Sequence, residues 1–313
     1  MIEATHLTKQ YGNANALFDV NFSIDKGEVV GFLGPNGAGK STTMNLLCGY
    51  LTPSWGQVKI AGIDMVENPL EAKRHIGYLP EIPPLYMDMT VAEQLEFACE
   101  LRGLKLKKPQ LRDYIDSLCA RTQVLDTRDR LIRNLSKGYR QRVSVTQLLV
   151  GEPEILILDE PTVGLDPRQI REFRDLLSEL SHEHTIILSS HILSEISSVC
   201  KRILVFYEGM LIADGEPQSL QEQLAGHRVL EVEISGEEAG VSALLQGIPD
   251  VLAVKPVGHG GYQVAHRMGT DIRGALYRTL RPTGYELLMM KPEEVSLESL
   301  YLRITEHEQE MEA

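Results

Sequence analysis

The chain has 313 residues, room for about two domains at roughly 150 residues each. Hydrophobic residues make up 43% and charged residues 24%, an ordinary globular balance that excludes disordered, collagen-like and coiled-coil classes. Lys and Arg number 31 against 44 Asp and Glu, a net charge of −13, which argues against nonspecific binding to nucleic acid or anionic membrane.

No apolar stretch reaches the length of a membrane span. The amino-terminal MIEATHLTKQYG lacks the charged-then-apolar order of a signal peptide. The expected location is therefore cytoplasmic, with any membrane role supplied through a partner. Cys48, Cys99, Cys119 and Cys200 are scattered without a CxxC pair, which speaks against a zinc site or disulfide framework and for buried, reduced thiols.

Residues 1 to about 225 alternate strand-like and helical segments, the pattern of an α/β domain. Val29 to Leu33 is a short apolar run that ends in a glycine-rich loop. Thr90 and Glu93, at capping-box spacing, open a helix through AEQLEFACELRG, and Leu111 to Leu125 continues the helical character. The segment from about 82 to 150 is thus a helical subdomain. Ile155 to Leu158 and Thr185 to Leu188 read as buried strands, and Leu204 to Phe206 with Leu211 to Ala213 as a hairpin around Tyr207-Glu208-Gly209. A second unit is expected over residues 226–313. Its strands at Leu230–Ile234, Val251–Val257, Tyr262–Ala265 and Glu286–Met290, with helices at Val241–Leu245 and Ile272–Leu280, follow the β-α-β-β-α-β order of a small ferredoxin-like α+β domain. Ser296 to Thr305 reads as a further helix.

Gly34-Pro35-Asn36-Gly37-Ala38-Gly39-Lys40-Ser41 fits the phosphate-loop pattern G-x-x-x-x-G-K-[ST], with Thr42 next in the chain. Glycines let successive amides turn inward on phosphate oxygens, and a helix starting at Lys40 aims its positive end at the same point. Lys40 is suited to the β- and γ-phosphates and Ser41 to a magnesium ion. The strand Ile155 to Leu158 delivers Asp159 and Glu160 at its end. Asp159 is placed for the magnesium shell, and Glu160 to orient and deprotonate a water attacking the γ-phosphate.

With these motifs in place, the chain resembles the nucleotide-binding subunits of ABC transporters over about residues 1 to 215. Leu135-Ser136-Lys137-Gly138-Tyr139-Arg140-Gln141-Arg142 is similar to the family's signature. Gly164-Leu165-Asp166 resembles its D-loop, Ser189-Ser190-His191 the segment of its switch histidine, and Tyr11 the aromatic that stacks on adenine. The resemblance implies an ABC-type P-loop ATPase with a helical subdomain, using ATP and Mg2+. It also implies a homodimer in which Ser136 and Gly138 of one subunit face the γ-phosphate held by the other, with His191 at that phosphate. Separately encoded permease subunits would be its other partners, the chain lying peripherally on the inner face of the membrane, and nucleic acid would not be among them.

There are two departures from the family pattern. Lys137 and Tyr139 replace the usual glycine and glutamine of the signature, and Lys137 is free on sequence grounds either to approach phosphates or to face solvent. Glu81, in Gly77-Tyr78-Leu79-Pro80-Glu81, stands where a glutamine usually joins magnesium to the permease. Such a glutamate, together with the carboxyl-terminal extension, resembles the ABC-2 type exporters, in their gliding-motility and multidrug-type branch. Ile82-Pro83-Pro84-Leu85-Tyr86 is apolar enough for a groove that receives a permease helix, and equally for core. The rival expectation is a soluble ABC ATPase without a permease, of translation or DNA-repair type. A single phosphate loop, the absence of a Cys cluster or heptad run, and the net acidity all weigh against it.

Overall fold

The computed structural model describes residues 1–220, 228–267 and 269–292. The chain divides into two compact units, Met1–Pro217 and Gln218–Ala313, so the first closes ahead of the boundary at 225 expected from sequence. The expected helix at Ser296–Thr305 lies outside the described residues.

The first unit opens with an antiparallel hairpin, β1 (Ile2–Tyr11) and β2 (Ala14–Ile24), closed by Gly12 and Asn13. β1 also pairs with β4 (Trp55–Ile60), and β4 with the short β5 (Ile63–Asp64), giving a four-stranded sheet in the order β2-β1-β4-β5. The main sheet contains β3 (Val29–Leu33), β6 (Ile76–Leu79), β7 (Ile155–Leu158), β8 (Thr185–Ser190), β9 (Arg202–Tyr207) and β10 (Met210–Gly215), in the order β10-β9-β3-β8-β7-β6. All its pairings are parallel except that of the edge strand β10. Every residue of β7 and β8 is buried, as expected of parallel strands covered on both faces.

Helix α1 (Lys40–Leu47) joins one core to both sheets: Met44 and Leu47 cluster with Ile2, Val20 and Val58 of the first sheet and with Phe32 and Ile157 of the second. The Phe32 ring packs edge-on to Phe22, centroids 5.6 Å apart, and against Phe206 at 4.9 Å. Burial holds all four free thiols above their ordinary range, Cys99 and Cys119 at about 11.

The short α2 (Pro69–Arg74) precedes β6, and between β6 and β7 lie α3 (Val91–Leu101), α4 (Lys108–Arg121) and α5 (Lys137–Leu148). Thr90 and Glu93 form the expected capping box, Thr90 N–H donating to Glu93 Oε2 at 2.7 Å and Glu93 N–H to Thr90 Oγ1 at 3.2 Å. α4 begins and ends earlier than the expected Leu111–Leu125. Pro109 sits in its first turn, where no intrahelical amide hydrogen is needed, and Leu125–Thr127 is a separate 3-10 turn.

In the second unit, β11 (Arg228–Ile234), a helix at Glu238–Gln246, β12 (Val251–Gly258), β13 (Gly261–His266), a helix at Arg273–Leu280 and β14 (Leu287–Pro292) follow one another. The sheet order β12-β13-β11-β14, antiparallel throughout, is ferredoxin-like. Leu230, Val232 and Ile234 share a core of their own with Val241, Leu245, Leu276 and Leu280 of the helices. Separate cores predict that a chain ended at Pro217 stays soluble and keeps its affinity for Mg-ATP within about threefold, as read by nucleotide titration. An insoluble or nucleotide-blind fragment would contradict this division.

Candidate active site

The parallel registers bring four loops to one edge of the main sheet. Leu33 pairs with Ser190, Leu158 with Leu188, and Leu79 with Leu158. The segments that leave these strands carry Gly34 to Ser41, His191, Asp159 with Glu160, and Glu81 respectively. Ligands of open α/β sheets bind at this carboxyl edge.

Gly39 precedes α1 with φ of 104°, and a Cβ there would lie 2.7 Å from Leu17 Cδ2 and 3.0 Å from the Ala16 carbonyl. Only glycine lets the loop pass this close to β2. Lys40, 5% exposed, folds back so that Nζ donates to the carbonyls of Gly34 at 2.7 Å and Pro35 at 3.1 Å. Burial lowers its pKa, and the neighbouring Glu160 and Asp159 carboxylates oppose that shift. Ser41 Oγ donates to Asp159 Oδ1 at 3.1 Å, and Ser189 Oγ to the same oxygen at 2.6 Å.

Glu160 is likewise buried. Its Oε2 lies 3.1 Å from His191 Nδ1 and its Oε1 3.7 Å from Lys40 Nζ. Oε1 has no hydrogen-bond partner. A buried carboxylate oxygen in that condition is an acceptor lacking a donor, and a water at this point would supply one. The structure therefore gathers Lys40, Ser41, Asp159, Glu160 and His191 into one cluster.

The other expected residues are not hydrogen-bonded into this cluster. Tyr11 is half-exposed at the end of the β1–β2 hairpin, a few residues from the Ala16–Leu17 segment that crowds Gly39, with Lys9 Nζ 5.3 Å from its ring centroid. Glu81 is exposed just beyond β6. Ser136 caps α5, accepting from Tyr139 N–H at 3.3 Å. Gly138 packs on Gln169 of α6 (Pro167–Leu180), and the Lys137 ammonium lies against Gly164 of the D-loop. Lys137 thus packs on its own chain. Among the described residues, no hydrogen bond joins Ser136 or Gly138 to the phosphate loop. Two members of the polar network are given no role by the motifs. Ser189 bonds Asp159 and Glu160, and Glu195 Oε2 accepts from Thr162 Oγ1 at 2.7 Å and Ser190 Oγ at 3.1 Å. The signal for Ser189 is a polar residue closing a fully buried strand.

The family model for ABC transporters matches residues 17–163. Over nearly its whole length the chain is similar to the bacitracin transport ATP-binding protein BcrA of Bacillus licheniformis, 32% identical over 306 residues that cover 97% of each chain. This chain belongs to the ABC transporter family. The linearmycin resistance ATP-binding protein LnrL of Bacillus subtilis is 29% identical and covers 97% of this chain and 98% of its own. The dimeric structure of MJ0796, a bacterial ABC transporter cassette, superposes with a TM-score of 0.64 at 25% identity, over 69% of this chain and 99% of that one. As a member of the family the chain is an ATP-binding and ATP-hydrolysing subunit. Lys40 supplies the phosphate loop's only charged side chain. Its replacement by alanine should lower kcat/KM for ATP on the order of a hundredfold, the scale of removing one preorganised donor from a transition state. Phosphate release and nucleotide titration at wild-type values would place the site elsewhere.

Proposed function

We propose that this subunit powers export through separate membrane permease subunits. It does so by closing as a head-to-tail homodimer on two Mg-ATP and reopening after hydrolysis. The observation that carries the reading is the separation of two half-sites in one chain: the Lys40–Ser41–Asp159–Glu160–His191 cluster, and Ser136 with Gly138 at the start of α5 on a different element.

In this reading Gly34 to Thr42 cradle the triphosphate, with Lys40 released from its carbonyl partners to the β- and γ-phosphates. Tyr11 offers an aromatic face to adenine. Glu160 Oε1 accepts the proton of the attacking water. His191, bonded to Oε2, holds the carboxylate and reaches the γ-phosphate. Ser136 and the Gly138 amide bind the γ-phosphate of the opposite subunit's ATP.

The donor set fits magnesium. Ser41 Oγ and Asp159 Oδ1 are hard oxygens 3.1 Å apart, and two buried carboxylates face a single buried ammonium. Among the described residues, no group of three or more His, Cys, Asp or Glu side chains could hold a metal ion. A cation here would thus complete its shell from phosphate and water, as magnesium does, with Glu81 the further oxygen on the permease side. When bound, magnesium neutralises charge on the β- and γ-phosphates.

No described helix is long and apolar enough to cross a membrane, so transport would need a separate membrane partner. Its docking site is a groove of about 290 Å³ lined by Tyr50, Tyr78, Pro84, Ala98, Leu101 and Arg102. At its rim Leu101 and Tyr50 are 72% and 70% exposed, apolar side chains that suit a partner helix. Two relatives that match 97% of the chain, named for bacitracin transport and linearmycin resistance, favour a transporter over a soluble ATPase.

Glu160→Gln should keep ATP binding, lose turnover by about 10²–10⁴-fold, and elute as an ATP-held dimer. Leu101→Asp should retain basal hydrolysis while its copurification with the permease falls. Near-wild-type turnover by the glutamine variant, or undiminished copurification by the aspartate variant, would contradict the respective assignments.

A further inference from the structure

Ser189 is fully buried at the end of β8, directly after the apolar run Ile186 to Leu188. Its hydroxyl is used in both directions: Oγ donates to Asp159 Oδ1 at 2.6 Å and accepts from Glu160 N–H at 2.8 Å. A hydroxyl carries one hydrogen, so this pair of bonds fixes its rotor and ties two consecutive residues together.

Those bonds fall on an unusual backbone conformation. Glu160 has φ of 46°, a left-handed conformation that a residue with a Cβ seldom adopts. Such a conformation persists only where its surroundings hold it. The Glu160 carbonyl accepts from Val163 N–H at 3.2 Å, and the preceding amide, of Asp159, donates to the Leu79 carbonyl at 2.8 Å. The Glu160 N–H is held by Ser189. From this turned backbone the carboxylate reaches Lys40 and His191 at once, at 3.7 Å and 3.1 Å.

We propose that Ser189 is the positioning residue of the hydrolytic site: its hydroxyl locks the left-handed Glu160 backbone to the Asp159 carboxylate, so that the base and the metal-side carboxylate keep one fixed geometry. The proposal rests on the reading of Glu160 as general base. A plain structural role, the satisfaction of a buried hydroxyl, would affect stability alone. A positioning role affects the chemical step, because small displacements of a catalytic group are amplified in rate.

The test is steady-state and single-turnover ATP hydrolysis by the full chain carrying Ser189→Ala, Ser189→Cys, Ser189→Thr, Glu160→Gln, and Ser189→Ala with Glu160→Gln. Thermal melting with nucleotide establishes that each variant is folded. Ser189→Ala should lower kcat about 10- to 100-fold and move KM for ATP by less than about threefold. Cysteine, near in size but a weak donor, should fall between alanine and wild type, and it decides the question should the alanine variant fail to fold. Threonine, which keeps the hydroxyl, should recover most of the rate. In the Glu160→Gln background, Ser189→Ala should add no further loss, since the group it positions is already gone. Wild-type kcat in the folded Ser189 variants beside an inactive Glu160→Gln overturns the proposal, as does an equal further loss in the double variant. An active Glu160→Gln overturns the base assignment and the proposal with it.

Discussion

Two buried carboxylates, Asp159 and Glu160, meet one buried ammonium, Lys40, at the carboxyl edge of a parallel sheet. Burying charge is costly unless each group is paired and hydrogen-bonded, and removing one partner of such a pair costs about 3–5 kcal/mol. The rest of the site follows from that constraint. Lys40 donates to two carbonyls of its own loop, Asp159 accepts from two hydroxyls, and Glu160 bonds His191. What stays unsatisfied is informative: Glu160 Oε1 lacks a donor, and two buried carboxylates face one buried ammonium. A water would supply that donor, and a divalent cation held by Ser41 and Asp159 would offset the second carboxylate and part of the charge that a triphosphate brings.

The same geometry explains why one chain is insufficient in this reading. The signature residues cap a helix that packs on the D-loop segment and α6, and no hydrogen bond connects them to the phosphate loop among the described residues. A helix amino terminus with free amides is suited to phosphate. Supplied by a second chain, it would let closure of the dimer depend on ATP and its reopening on hydrolysis. In that reading the groove beside α3, lined by both apolar and polar side chains, offers a surface through which that motion reaches a membrane partner.

Much of this was legible in the residues themselves. The phosphate loop, Asp159 with Glu160, and His191 each directly follow a short buried strand, and parallel pairing brings the ends of such strands to one edge. The ferredoxin-like order of the second unit followed from strand and helix succession alone. The antiparallel sheet of β1, β2, β4 and β5 was hidden because bulges break its alternation: the β1–β2 register shifts between Ala4 and Leu7 and again up to Gln10, with His6 and Asp19 at positive φ. The start of α4 was obscured by Pro109, which reads as a breaker yet suits a first turn. Ser189 gave little signal because its role depends on two residues from a different strand. A short hydroxyl side chain carries no spacing pattern of its own.

The central claim is that each hydrolysis site is composed of two chains. Its most direct test is a heterodimer purified through two different affinity tags, one chain carrying Lys40→Ala and the other Gly138→Asp. A side chain at position 138 meets the flexible end of Gln169, its first Cβ contact being 3.0 Å from Gln169 Cδ, so the substitution burdens the signature more than the fold. Each variant homodimer should be inactive. The heterodimer should regain one intact site, pairing the unaltered phosphate loop of one chain with the unaltered signature of the other, and hydrolyse ATP at up to about half the wild-type rate per dimer, one site of two. A heterodimer as inactive as its parents would show that each chain uses its own signature, and would contradict the account.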